Sequence, residues 1–199
     1  DGTVAIGSSA LAALTSGAGN VAIGKSALTA VTLGDNNVAL GHEALLNMGT
    51  ADGNDDNIAI GTNSLYTAGT GSSNVSAGNV AIGSNSLQLN QTGDYNICLG
   101  YNAGQTLTAA NHCIAIGKDA LDGEATQDGT VAIGRSALGA LTSGNYNSAI
   151  GYEAGLYVST GAGNTFIGHS AGKGASGAGG HDNNTAVGHQ SGLLLQGSA

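Results

Sequence analysis

Eleven times along its 199 residues the chain returns to a glycine that closes a short aliphatic phrase, as in Asn20-Val21-Ala22-Ile23-Gly24. The glycines are Gly7, Gly24, Gly41, Gly61, Gly83, Gly100, Gly117, Gly134, Gly151, Gly168 and Gly188. The steps between them are 17, 17, 20, 22, 17, 17, 17, 17, 17 and 20 residues. A unit this short cannot bury its apolar side chains alone. Stacked units can, and a fixed period therefore marks a solenoid. The repeat leaves no room for a second domain, so residues 1–199 read as one elongated repeat domain. Eleven coils at about 4.8 Å each make a rod roughly 50 Å long.

Aligned on the glycine, the columns carry the rest of the reading. The residue before it is always bulky and aliphatic, from Ile6 to Val187, and three before it stands Val or Ile in the first eight repeats, then Ser148, Thr165 and Thr185. Two positions apart, these columns share one face of a strand. Between them the chain places Ala, except at Cys98 and Phe166. A half-exposed strand would be polar on its second face, and this one is uniformly small instead. The β-branched face reads as the coil interior. The alanine face then reads as a seam against another chain or segment, through Ala22, Ala39, Ala59, Ala81, Ala115, Ala132 and Ala149. A merely bland outer face is the alternative. Four before the glycine Asn dominates (Asn20, Asn37, Asn57, Asn79, Asn96, Asn147, Asn164, Asn184), a pattern that predicts an amide ladder along the axis.

The return half of each repeat is less regular. Three after the glycine only Ala or Ser occurs, which marks a crowded site. The next position alternates between Leu (Leu11, Leu28, Leu45, Leu65, Leu87, Leu121, Leu138) and Gly (Gly104, Gly155, Gly172, Gly192), predicting a cross-section that tapers or changes. Leu14, Val31, Met48, Leu107, Leu141 and Val158 form a further apolar column, read as a second short strand or an irregular edge rather than a helical turn. The three longer steps enlarge this half near 48–56, 66–78 and 173–183. Insertions in a solenoid become loops on one face, often the binding face. Candidate binding-loop residues are Asp52, Asn54, Asp55, Asp56, Tyr66, Ser72, Asn74, His181 and Asp182.

Composition excludes several functions. Four Lys or Arg against thirteen Asp or Glu, for a net charge of −9, oppose binding to nucleic acid or to anionic membranes. No apolar run is long enough for direct membrane insertion. The first residues already lie inside a repeat, as in an excised or processed segment. Cys98 and Cys113 lack metal spacing. One coil apart and two positions along, their α-carbons should be about 8 Å apart, beyond disulfide reach, so free thiols are expected. Asp52-Gly53-Asn54-Asp55-Asp56-Asn57 has the oxygen-rich opening of a calcium loop without the later Gly and Glu, so calcium is a minor expectation and no other cofactor or metal is predicted. His169 and His189 fall in one column on adjacent coils, near enough to stack. No triad or paired-carboxylate arrangement stands out, and no catalysis is expected. Just past the phrase glycine stand Lys25, His42, Tyr101, Lys118, Arg135, Tyr152, His169 and His189. This polar and aromatic stripe either keeps the rod soluble or reads sugars.

The phrase Asn20-Val21-Ala22-Ile23-Gly24 with Ala27-Leu28 after it, and the stretch Gly163–Gly172, resemble the head repeats of YadA-type trimeric autotransporter adhesins and the AIG-type repeats of bacteriophage tail fibres. The resemblance covers essentially the whole chain and implies a left-handed parallel β-roll, three of which pack about a common axis. The period here is longer than in adhesin heads, and neither a basic neck nor heptads accompany it. On this reading the chain is an extracellular fibre segment, on a virion or a bacterial surface. It would bind itself as a homotrimer and a host-surface glycan or protein receptor. The alternative is an architectural spacer or self-assembling filament with no ligand of its own.

Overall fold

A computed structural model describes residues 2–49, 52–69, 75–123, 126–175, 179 and 182–193. Each repeat contributes one three-residue strand: β1 Val4–Ile6, β2 Val21–Ile23, β3 Val38–Leu40, β4 Ile58–Ile60, β5 Val80–Ile82, β6 Ile97–Leu99, β7 Ile114–Ile116, β8 Val131–Ile133, β9 Ser148–Ile150, β10 Thr165–Ile167 and β11 Thr185–Val187. The strands form a single parallel sheet in sequence order. Register is exact in the repeat: Val21 pairs with Val38, Ala22 with Ala39 and Ile23 with Leu40, and so on along the stack. The fold is an all-β solenoid, with no helix among the described residues.

No second strand forms among the described residues of the return half. It is an irregular edge that still bonds coil to coil, as Leu28 N–H does to Ala44 C=O (2.9 Å) and Ala30 N–H to Leu46 C=O (3.1 Å). The cause is a run of left-handed residues that a strand cannot contain. The position two after the glycine has φ of 53–60° at every coil, as at Ser26 (57°) and Asn102 (53°). The Leu column four after it lies between 46° and 53°. Left-handed φ is costly for a bulky side chain, and here stacking repeats the same turn in every coil. The phrase glycines have φ near 119–141°. A Cβ on Gly41 would sit 2.6 Å from the carbonyl oxygen of Gly61, so the corner is a column in which only glycine fits.

The sheet faces are the reverse of the sequence expectation. Ala22, Ala39, Ala59, Ala81, Ala115, Ala132 and Ala149 are 0% exposed within a single chain. They point into the coil and cannot form an interchain seam. The Val and Ile columns point outward, with Ile6 at 58% and Val187 at 62% exposure. The reason is the thinness of the roll. A Cβ built on Gly104, in the return half, would meet Cys98 Sγ across the interior at 2.6 Å. With so little space opposite the strand, the bulk comes from the return half: Leu28, Leu45, Leu65, Leu87, Leu107 and Leu121 are fully buried. The strand contributes a methyl group.

The expected change of cross-section takes the form of an exchange at two levels. Where the strand carries Cys98 instead of Ala, the facing Leu becomes Gly104; where it carries Phe166, Gly155 and Gly172 lie against the ring. At these levels the larger strand side chain takes the space that a return-half Leu fills elsewhere.

The predicted amide ladder is present. Asn37 donates its backbone N–H (2.9 Å) and its Nδ2 (3.2 Å) to Asn20 Oδ1. Asn57 does the same to Asn37, and Asn79 to Asn57. All are fully buried, so the ladder satisfies amides that would otherwise be costly inside. A second ladder, two residues earlier, runs the opposite way and was not foreseen. Ala18 N–H donates to Asp35 Oδ1 (2.6 Å), Asp35 N–H to Asp55 Oδ1 (2.7 Å) and Ala77 N–H to Asp94 Oδ1 (2.8 Å).

Candidate functional site

Among the described residues, most of the exposed aliphatic side chains lie on the outward sheet face. It carries Val4, Ile6, Ile23, Ile82, Ile97, Ile150, Ile167 and Val187 as exposed side chains, with the intervening Val, Ile and Leu partners half-buried. Over the rod's length this stripe spans on the order of 500 Å², taking about 50 Å by about 10 Å. That is at the upper end of what an isolated soluble chain leaves uncovered. It exists because the pleat alternates: once Ala faces inward, the flanking β-branched residues must face out.

Polar and aromatic rows border it on both edges. On one, just before the ladder Asn, Tyr95 stacks on His112 with ring centroids 5.4 Å apart and an interplanar angle of 2°. On the other, past the corner glycine, Tyr152 stacks on His169 (5.0 Å) and His169 on His189 (5.1 Å), the approach expected of two histidines in one column. Arg135 lies 5.6 Å from the Tyr152 ring centre and Lys118 lies 5.7 Å from that of Tyr101. Glu153 and Lys173 form a close ion pair at 2.6 Å. The Lys173 ammonium holds the Glu153 carboxyl below its ordinary range and is itself raised by it. The single signal for all of these in the sequence is the column position.

The candidate loop residues are not brought together as one site. Asn54 is buried and structural: its Oδ1 accepts from Ser76 N–H (2.9 Å) and its Nδ2 donates to Gly49 C=O (3.3 Å). Asp55 spends an oxygen on Asp35 N–H and Asp182 one on Ala162 N–H (2.8 Å), both as rungs of the second ladder. Asp52 and Asp56 are exposed, and Tyr66 is half-buried with its carbonyl accepting from Asn47 N–H. Ser72, Asn74 and His181 lie outside the described residues. Among the described residues no three His, Cys, Asp or Glu side chains cluster as metal ligands would. The amide and carboxylate oxygens of the Asp52–Asn57 stretch largely hold backbone rather than facing a common point.

Both cysteines are free and buried. Burial first, then the neighbouring Cys113, drives the Cys98 thiol far up; burial pushes Cys113 up to about 11. Neither is a thiolate nucleophile at neutral pH. Cys113 and Thr130 occupy two successive rungs of the Asn ladder and interrupt it. Near that break the Gln127 Oε1 and Thr130 Oγ1 atoms are buried without partners. An open cleft of about 340 Å³ lined by Leu89, Thr106, Thr108 and Thr126 has only threonine hydroxyls as polar side chains.

A scan against protein-family models, a search of the curated proteins and a search of the solved structures each return no match for this chain.

Proposed function

We propose that this chain is a structural and adhesive fibre module, the head or shaft of an extracellular trimeric fibre such as an adhesin or a phage tail fibre. The observation that carries the reading is the outward Val, Ile and Leu face, exposed or half-buried from Val4 to Val187 in a single chain, with Ser148, Thr165 and Thr185 in one of its two columns at the C-terminal end. An uncovered apolar stripe of that length favours association by apolar burial. A straight stripe on a rod pairs with its like on parallel copies. Three copies is the number that the likeness to adhesin-head and tail-fibre repeats implies. The flanking Tyr, His, Arg and Lys rows then remain on the outside edges, where each would be presented three times and bind multivalently to a host-surface receptor.

Size-exclusion chromatography with light scattering tests it. The expected result is a trimer, and Ile82→Lys with Ile97→Asp should convert it to a folded monomer. A wild-type monomer at micromolar concentration would overturn the fibre reading.

A further inference from the structure

The chain contains four Asp-Gly pairs: Asp1-Gly2, Asp52-Gly53, Asp122-Gly123 and Asp128-Gly129. Such a pair has a chemistry of its own. With no side chain on the following residue, its backbone nitrogen is free to attack the aspartate Cγ and close a five-membered ring. The neutral acid is the reactive form, because it loses water where a carboxylate would have to expel oxide. Hydrogen bonds protect the pair by occupying the carboxyl oxygen and the attacking nitrogen. Asp1 lies outside the described residues. The structure separates the other three.

Asp128-Gly129 is locked into the second ladder. Asp128 Oδ1 accepts from the Asn111 N–H (2.8 Å) and Nδ2 (3.1 Å), and Asp128 N–H donates to Asn145 Oδ1 (3.0 Å). The Gly129 N–H donates to the Asn111 carbonyl (2.9 Å). Both reacting groups are tied down.

Asp122-Gly123 lies in the same return half and has neither restraint. Asp122 Oδ1 is buried without a partner, and the Gly123 N–H makes no hydrogen bond among the described residues. Thr106 Oγ1 donates to the Asp122 carbonyl (2.8 Å), which leaves the side-chain carboxyl and the glycine nitrogen untouched. A buried carboxyl oxygen with nothing to bond favours the neutral acid. Burial first and Asp119 second raise Asp122 to about 6. About a tenth of the molecules then carry the acid at pH 7, against about a thousandth for an ordinary Asp. Asp52, by contrast, is exposed, and water solvates its charge.

We propose that Asp122-Gly123 is a site of self-modification, at which Asp122 cyclises to a succinimide and reopens as isoaspartate. The Gly123 nitrogen bonds to Asp122 Cγ, and the carboxyl hydroxyl leaves with the amide proton as water. A second water then opens the ring at either carbonyl. Opening at the Asp122 α-carbonyl routes the backbone through Cβ and Cγ, one methylene longer, with a free carboxylate where Thr106 bonds a carbonyl. No oxidant, reductant or cofactor takes part. The reaction belongs to the single chain and does not depend on the fibre reading.

Peptide mapping of the full chain tests it, after prolonged incubation at neutral pH with and without urea. Trypsin, cutting after Lys118 and Arg135, releases both pairs in the one peptide Asp119–Arg135, and electron-transfer fragmentation locates isoaspartate within it. In the folded chain isoaspartate should build up at Asp122 about tenfold or more faster than at Asp128, whose hydrogen bonds must open first. It should also build up faster there than at Asp52. In urea the rates at Asp122 and Asp128 should converge. Asp122→Ser, which cannot cyclise, should remove most of the label that an isoaspartyl methyltransferase places on the aged folded chain. Gly123 is not the residue to substitute, since an added Cβ would meet the Leu141 carbonyl oxygen. Isoaspartate forming as fast at Asp128 as at Asp122, forming faster at Asp52, or keeping the same ratio in urea would each overturn the assignment.

Discussion

The two faces of each strand differ by one residue in sequence and by almost everything in role. Ala22 is sealed inside the coil while Ile23, its neighbour, is 39% exposed. In an ordinary sheet the larger aliphatic takes the interior, since burying it gains more. Here the interior is too narrow, and the return half fills it with Leu from a left-handed turn. What the contrast teaches is that hydrophobicity alone does not assign a face: the volume available opposite the strand does. The inner face holds one chain together, and the outer face is left for something else.

The comparison breaks most visibly where the inner face holds its largest side chain. Phe166→Ala should cost about 3–5 kcal/mol, because Gly155 and Gly172 offer no side chain to fill the space; chemical denaturation measures it. A loss below about 1 kcal/mol would mean that the interior is not close-packed there. Next, Ala132→Leu should destabilise the fold by about 1–3 kcal/mol through overpacking, read as a fall in melting temperature. If it changed only the oligomeric state, the alanine column would be a seam after all. The outer-face pair Ile82→Lys and Ile97→Asp gives the opposite signature, losing assembly with the secondary structure kept.

Two smaller effects sharpen the contrast between intact and interrupted ladder. Thr130→Asn supplies the missing amide next to Asn147, and should raise stability by about 1 kcal/mol by satisfying groups now left alone; calorimetric melting decides, and a lower melting temperature would contradict the ladder's role. Asp122 is raised to about 6 by burial first and Asp119 second, and its Oδ1 has no partner. Its folded pKa lies above the unfolded value. The resulting stabilisation is therefore full below about pH 4 and lost as pH rises through about 6. Asp122→Asn should stabilise the protein at pH 7.5 by about 1 kcal/mol, discounted for partial exposure, and by nothing at pH 4. Melting curves at the two pH values compare them.

Much of this was open to reading from the columns. The fixed period dictated a solenoid, because no unit could bury itself. The Asn column predicted its ladder, as Asn37, Asn57 and Asn79 show, because identical side chains in register have only their neighbours to bond. The stacking of His169 on His189 followed from column position alone. The Asp35, Asp55 and Asp94 ladder was hidden, since its column mixes Asp, Asn and Ala and the signal lay in backbone N–H groups with no residue letter. The exchange of Leu for Gly104 beside Cys98, and for Gly155 and Gly172 beside Phe166, was also hidden. It links columns six positions or more apart that meet only across the interior.

Sequence by itself determined the repeat, the parallel register, the corner glycines and the buried amides, all of which follow from translating one unit along one axis. Only the tertiary structure decided which way the strand faces. Periodicity two is symmetric between the sides of a sheet, and it takes the return half, with its left-handed leucines pressed close behind the strand, to leave room for a methyl inside and turn valine and isoleucine out.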